Sequence, residues 1–312
     1  MKMKSSSMLR QSLMYGGVYI LLLLLTIVIP VLSIFSMVLL ALPFFLFAAK
    51  HGWKQSLLFI ALLSITSMLI LGFVAIPVTL SIGVGGIFLG AALHQERSPY
   101  EAWAQGAVGY LIGIVGFYLS MIALFNLNLI EAFQSMLDEA FQSTENMVTD
   151  MGVSEEQLSI VQAQFENLPS MLPSIMAISS IVFSFITLWL GFRIQSKIEK
   201  QTFRFPPVHQ FTFPKSVLWY YFIAVVLSWV FPTTEEYMGV VAQNMYTLTG
   251  FFMILQGLSY LFAFTHHKKR SNALPITGVV LTLLFPYLLV FPMRILGIID
   301  LGFSLRERLG KQ

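Results

Sequence analysis

Few side chains in this chain are equipped for chemistry, and most of those lie within apolar runs. Gln105, Gln243, Asn244 and Gln256 are amides in such runs, with Tyr110, Tyr118, Tyr246 and Tyr260 close by in sequence. Polar groups at membrane depth are costly and often mark a pathway or a pocket. Amides and phenols together can hydrogen-bond a neutral or zwitterionic solute. Gln105, Tyr110, Gln243, Asn244 and Gln256 are therefore the candidate solute-binding residues. For any one of them alone, a hydrogen bond between helices is the plainer role, worth under about 2 kcal/mol.

Catalytic patterns are missing. The chain has no Walker A motif, no His-Glu-x-x-His and no Gly-x-Ser-x-Gly. Without cysteine it offers no thiolate ligand, no cysteine nucleophile and no disulfide framework. His266-His267 looks like a metal pair, but adjacent helical residues do not share a face. Lys268-Lys269-Arg270 follow directly and repel cations, so a solvated basic loop is expected there. His51, His94 and His209 are isolated near span ends. No Asp, Glu or Lys is placed in mid-span, which argues against a pump built on a buried carboxylate. The expectation is a non-enzymatic protein with no catalytic residues, no metal and no cofactor.

Glycine supplies a different signal. Gly86-Ile-Phe-Leu-Gly90 and Gly109-Tyr-Leu-Ile-Gly113 are small-xxx-small motifs on consecutive apolar segments, extended by Gly83, Gly106, Gly116 and Ser120. In lipid, close backbone approach over glycine is a main source of helix packing. Gly86, Gly90, Gly109 and Gly113 are expected to hold their two helices together, or else to form a docking face for another membrane protein.

The elements that carry these residues follow from composition. Of 312 residues, 57% are hydrophobic and 11% charged, and the mean hydropathy is +0.79. A soluble domain carries about a quarter charged residues. Most of this surface must therefore face lipid, and the fold class expected is all-α, polytopic and transmembrane. A span needs about 20 apolar residues. About nine fit, at 13–29, 31–49, 54–73, 75–94, 100–125, 171–195, 216–232, 246–265 and 274–292, with Pro30 dividing the first two. The first apolar stretch is too long for a cleavable leader of ~7–15 apolar residues and reads as an anchor.

Lys and Arg set the orientation. Lys2, Lys4 and Arg10, then Lys50 and Lys54, Arg97, the run from Arg193 to Lys215, and Lys268 to Arg270 all fall on one side. That places the N-terminus in the cytoplasm, with the chain in a plasma membrane. The net charge of +3 reflects these loops and not nucleic-acid binding. Glu235, Glu236 and the insert 126–170, with eight acids and no base, take the opposite side. The insert reads as a helical hairpin. Leu129, Ile130, Phe133, Leu137, Ala140 and Phe141 form its first apolar stripe, and Ser154 to Gln157 a capping box for its second helix. The cytoplasmic loop 196–215 interleaves Phe203, Phe205, Phe211 and Phe213 with Pro206-Pro207 and cations, a strip suited to headgroups or to a cytosolic partner. Helices at 216–303 and a basic tail at 304–312 complete the chain. With nine spans the tail would be exported, against its Arg294, Arg306, Arg308 and Lys311. A hairpin within 274–303 broken at Pro286 and Pro292 would return it to the cytoplasm, and that is the preferred arrangement.

The chain resembles the YybS-like family of uncharacterised bacterial membrane proteins over nearly its full length. The residues that carry the resemblance are Leu42-Pro43 followed by Trp53, the Gly-rich fourth span, and Leu172-Pro173 after the acidic insert. Trp219-Tyr220-Tyr221-Phe222, Gln256-Gly257-Leu258-Ser259 and Leu296-Gly297-Ile298-Ile299-Asp300 complete it. That family looks like a relative of the substrate-binding (S) components of energy-coupling-factor transporters. The resemblance implies a six-helix S-component-like core over 1–125 and 171–195, with the insert 126–170 as an addition. It also implies docking of a coupling subunit through small residues of the first helix, here Ser12-Leu-Met-Tyr-Gly16 in place of Ala-x-x-x-Ala.

Two functions are expected on this basis. One is a solute-binding subunit that depends on a partner for transport. The other is a scaffold or regulator that binds proteins, a second copy of the chain among them. A roomy polar cavity near the outer face would favour the first, and a collapsed apolar core the second. Lipid is a partner in either case, and nucleic acid in neither.

Overall fold

In a computed structural model, residues 2–29, 39–150, 167–199, 205–232 and 236–309 are described, and every regular element among them is a helix. Among the described residues, seven helices are long and apolar enough to cross a membrane, and Ser216–Val230 and Ala273–Leu284 are shorter apolar helices. This is the multi-pass membrane architecture expected from composition. The capping box at Ser154 and the upper part of the 31–49 span lie outside the described residues. By packing, the chain divides into two compact units. Met1–Gln162 with Met176–Phe205 form the first, and Ala163–Ile175 with Pro206–Gln312 form the second.

The first unit begins with α1 (Lys2–Val28), followed by α2 (Leu42–Leu71), α3 (Ala75–His94) and α4 (Pro99–Phe125). α2 is two legs rather than one rod. Gly52 takes φ 78, a conformation natural to glycine, and the chain folds back there. Phe47 consequently stacks on Phe59 with ring centroids 4.3 Å apart, whereas twelve residues of straight helix would separate them by about 18 Å. The sequence-based division into 31–49 and 54–73 thus falls at a real break. Between α3 and α4, Ser98 and Glu101 form a reciprocal capping box, with Pro99 at the first helical position.

After Asn126, which closes α4 in the left-handed region, Asn128 opens α5 (Leu129–Asp150) by accepting from the Ile130 N–H. On α5, Leu129, Ile130 and Leu137 are partly buried, while Phe133 and Met136 are exposed. α6 (Leu172–Glu199) supplies its Met176–Glu199 part to the first unit, where Leu188 and Phe192 join Phe45, Leu89 and Tyr110 in a buried cluster.

The second unit contains α7 (Ser216–Val230), α8 (Tyr237–His267), α9 (Ala273–Leu284), α10 (Pro286–Phe303) and the short α11 (Leu305–Leu309). Pro286 explains why the expected span 274–292 breaks. Proline disfavours helical backbone in the residue before it, and Phe285 is non-helical at φ −127, ψ 62. Pro286 then starts α10, where its missing N–H costs nothing.

α8 and α10 are the closest pair in this unit. The contacts Gly250–Arg294, Met253–Gly297 and Gln256–Asp300 step along both helices together, so α10 runs parallel to α8. The chain must therefore turn back between them, which α9 and Phe285 accomplish. The basic tail accordingly leaves at the same end of the unit as the 206–213 loop.

Candidate functional site

The two glycine motifs do not meet each other. Gly86 and Gly90 on α3 receive the first leg of α2. A Cβ on Gly86 would stand 2.6 Å from the Ala41 carbonyl oxygen, and one on Gly90 would strike the Phe45 carbonyl. Gly109 and Gly113 on α4 receive α3 instead, against Phe88 and the Ser81 carbonyl. α3 thus lies between α2 and α4, and all four glycines are spent inside the first unit.

Several buried polar groups of that unit bond one another inside it. Tyr110 is buried and its hydroxyl lies 2.7 Å from Thr187 Oγ1. Tyr19 donates to Thr79 at 2.8 Å, and Trp103 to the Ile181 carbonyl at 2.9 Å. Gln105 is exposed on α4, away from these groups. A cavity of about 150 Å³ beside Tyr110 is walled by Val78, Ile82, Ile114, Phe117 and Phe183. A groove of about 780 Å³ runs along α1 and α2, with Ser12, Gly16, Gly17 and Thr66 among leucines.

In the second unit the other predicted amides act as clamps. Asn244 accepts from the Ser174 N–H at 2.8 Å and donates to the Ser170 carbonyl at 2.7 Å, fixing the start of α6. Gln256 is fully buried. Its Oε1 accepts from the Phe213 N–H at 3.0 Å, and its Nε2 donates to Thr212 Oγ1 and to Asp300 Oδ2.

Asp300, only 3% exposed, also pairs with Arg306 at 2.9 Å. Ser304, at φ 49, ends α10 and turns the chain so that Arg306 can reach back. The Arg306 guanidinium donates to the carbonyls of His209 and Phe211 and to Ser259 Oγ. This latch binds tail, loop and helix pair at one end of the unit. Phe211 and Phe213 of the Phe-rich loop are packed with it, next to Phe252. Phe205 belongs to the first unit, against Tyr100, Trp103 and Phe185.

Between one and two turns before Asp300 lies Arg294, one of the basic residues expected in the tail. Arg294 is the ninth of the 18 residues of α10. Its Nη1 donates to the Tyr246 hydroxyl, and its guanidinium lies 4.7 Å from the Tyr246 ring and 6.0 Å from that of Tyr221. Gly250 makes room for it, since a Cβ there would stand 2.8 Å from Arg294 Cζ. Gln243 lies partly buried on the same helix face, one turn before Tyr246. The Nε of Arg294 is buried without a hydrogen-bond acceptor. Among the described residues the one ion pair is Arg306–Asp300, so Arg294 has no carboxylate there. An arginine in mid-span is expensive by about 2.5–3.5 kcal/mol or more, and such residues are usually functional.

The helical architecture and the apolar spans agree with what the chain resembles. Residues 17–301 match the family described as predicted membrane protein (DUF2232). The chain belongs to the DUF2232 family. It is also 24% identical over 310 residues to Uncharacterized protein YybS of Bacillus subtilis (strain 168), covering 98% of this chain and 99% of that protein. No solved structure matches it. The stretch matched to DUF2232 contains Gln256, Arg294 and Asp300, while Arg306 lies beyond it.

The latch of this DUF2232 chain carries a pH-sensitive contact. The His209 and His266 rings stack with centroids 3.9 Å apart. Burial first, then His266, His267 and Arg306, push the His209 imidazole below its ordinary value of 6.5. The folded loop thus holds His209 neutral more strongly than a released loop does. The contact is at full strength above pH 6.5 and weakens as pH falls through the lowered folded value. Hydrogen exchange of residues 206–213, corrected for its intrinsic pH dependence, should accelerate between pH 7.5 and 5.5. His209→Gln should flatten that response.

Proposed function

We propose that this chain is a non-enzymatic, multi-pass subunit of the bacterial cell membrane, N-terminus cytoplasmic, that acts as a scaffold or regulator by holding a partner protein. The observation that carries this reading is the state of the first unit. Tyr19, Tyr110 and Trp103 are paired within the fold, and the cavity beside Tyr110 is walled mostly by apolar side chains. A solute-binding site needs several convergent free polar groups around a cavity. Here Tyr110 is occupied by Thr187 and Gln105 faces outward.

A second reading has one observation in its favour. Ser12, Gly16 and Gly17 line an open apolar groove along α1, with no atom within 4 Å of a Cβ built on Gly17. A solute-binding subunit with an S-component-like core would dock its coupling subunit along such small residues. The two readings part on what remains bound after gentle purification from native membranes, identified by mass spectrometry. A stoichiometric protein without an ATPase or metabolite supports the scaffold. A coupling subunit with its ATPases, or a stoichiometric metabolite, overturns it in favour of transport.

A further inference from the structure

We propose that Arg294, with Tyr246 and Tyr221, forms a binding site for an oxyanion group, a carboxylate or phosphate, on the second unit. The site goes beyond the scaffold reading and does not depend on it. A guanidinium stays charged at any physiological pH and offers five N–H donors in a fixed fork. Here Nη1 is engaged by a neutral phenol, and Nε is left buried without an acceptor. Phenols and ring faces soften the cost of the cation but do not neutralise it. Arg306 shows how the same unit treats a guanidinium that is fully satisfied internally. It receives a carboxylate, two carbonyls and a hydroxyl. Arg294 receives phenol hydroxyls and their rings, and no carboxylate among the described residues.

The surroundings also look built to keep the cation in place. Gly250 on α8 gives the guanidinium its seat, and Met253 and Gly297 bring the two helices close immediately beyond it. Arg294 as a whole is partly exposed, although its Nε is buried. Phe291 and Leu288 on the same helix are widely exposed, which puts apolar surface beside the charge. An amphiphilic anion would find both a guanidinium for its oxyanion and an apolar face for its remainder. A planar bidentate group, carboxylate or phosphate, matches the fork better than a spherical halide. A Tyr246 hydroxyl that donates its own proton to the same oxygen would complete the cradle.

The test uses the purified full chain in phosphatidylcholine nanodiscs. One arm titrates inorganic phosphate against chloride at equal ionic strength, and the other includes phosphatidylglycerol in the disc. The midpoint of thermal unfolding is read in both, and native mass spectrometry counts retained phosphatidylglycerol. One of the two anions should raise the wild-type midpoint by several degrees. Arg294→Gln should weaken that response at least tenfold, and Tyr246→Phe a few-fold. Arg294→Lys, which keeps the charge and guards against a folding defect, should fall between wild type and Arg294→Gln. Lys54→Gln, which removes an exposed cation far along the sequence, should respond as wild type does. A response to phosphatidylglycerol alone identifies a lipid headgroup, and a response to phosphate alone a soluble anion. The proposal is overturned if neither anion acts on the wild type, or if Arg294→Gln responds undiminished.

Discussion

Gly257→Leu should unfold the second unit well below the wild-type midpoint, at a cost of about 3 kcal/mol or more. A Cβ at 257 would be driven into the Met293 carbonyl and stand 3.1 Å from the Gly297 N–H, while Gly297 in turn faces the Met253 carbonyl. These neighbours are backbone, so nothing can rotate away, and the helices must part. Separation would also pull Asp300 from Gln256, which lies one residue before the crossing. Leucine gains up to about 1 kcal/mol in helix propensity over glycine, too little to offset this. Gly116→Leu is the control. It lies on the exposed face of α4 with nothing within 4 Å of a Cβ, so it should be neutral or slightly stabilising. Thermal unfolding in detergent separates the two. If Gly257→Leu melts like the wild type, the α8–α10 crossing is not what holds the unit together.

The contrast between these glycines shows what sequence alone can carry. Spacing marked Gly86, Gly90, Gly109 and Gly113 as residues for helix packing or partner docking, because a small-xxx-small pattern lets a backbone come close. It could not state which backbone. Gly86 and Gly90 meet the first leg of α2, reached only after the chain reverses at Gly52. The amides were legible as costly groups at membrane depth, but a cost can be met by a ligand or by the fold. Gln256 and Asn244 are met by the fold, through Phe213, Thr212 and Asp300 and through Ser170 and Ser174.

Arg294 and Asp300 escaped for a local reason. With the last span drawn at 274–292, both fell just past its end, and Arg294 read as a tail charge. The preferred hairpin already broke at Pro286, but it also broke at Pro292, which the structure keeps inside α10. A proline that starts a helix instead of bending one moves the span to Pro286–Phe303, with Arg294 at its middle and Asp300 near its close. The pairing of Asp300 with Arg306 then depends on Ser304 adopting positive φ, which a serine does not announce.

Arg306→Ala should be more damaging than Asp300→Asn, although both break the same pair. The reason is an asymmetry in where each charge can go. The Asp300 side chain is 2% exposed and that of Arg306 is 17% exposed. Once Arg306 is removed, the Asp300 carboxylate is left in a closed site with only the Gln256 amide, and its Oδ1 already lacks a partner. Stranding a buried charge in this way costs about 3–5 kcal/mol. The carbonyls of His209 and Phe211 lose their donor at the same time. In Asp300→Asn the shape is kept, Gln256 retains an oxygen to donate to, and Arg306 can extend its head into solvent along its apolar stem. That loss should stay near 1–3 kcal/mol, the range for one unsatisfied buried partner. Combining Asp300→Asn with Arg306→Ala should cost less than the two changes summed, because the double variant no longer buries an unpaired charge. Thermal unfolding of the four proteins measures that coupling, and proteolysis within 206–213 reports whether the loop has been released. Additive losses, or an Arg306→Ala no worse than Asp300→Asn, would mean that the latch is held by the packing of Phe211 and Phe213 and not by its charges.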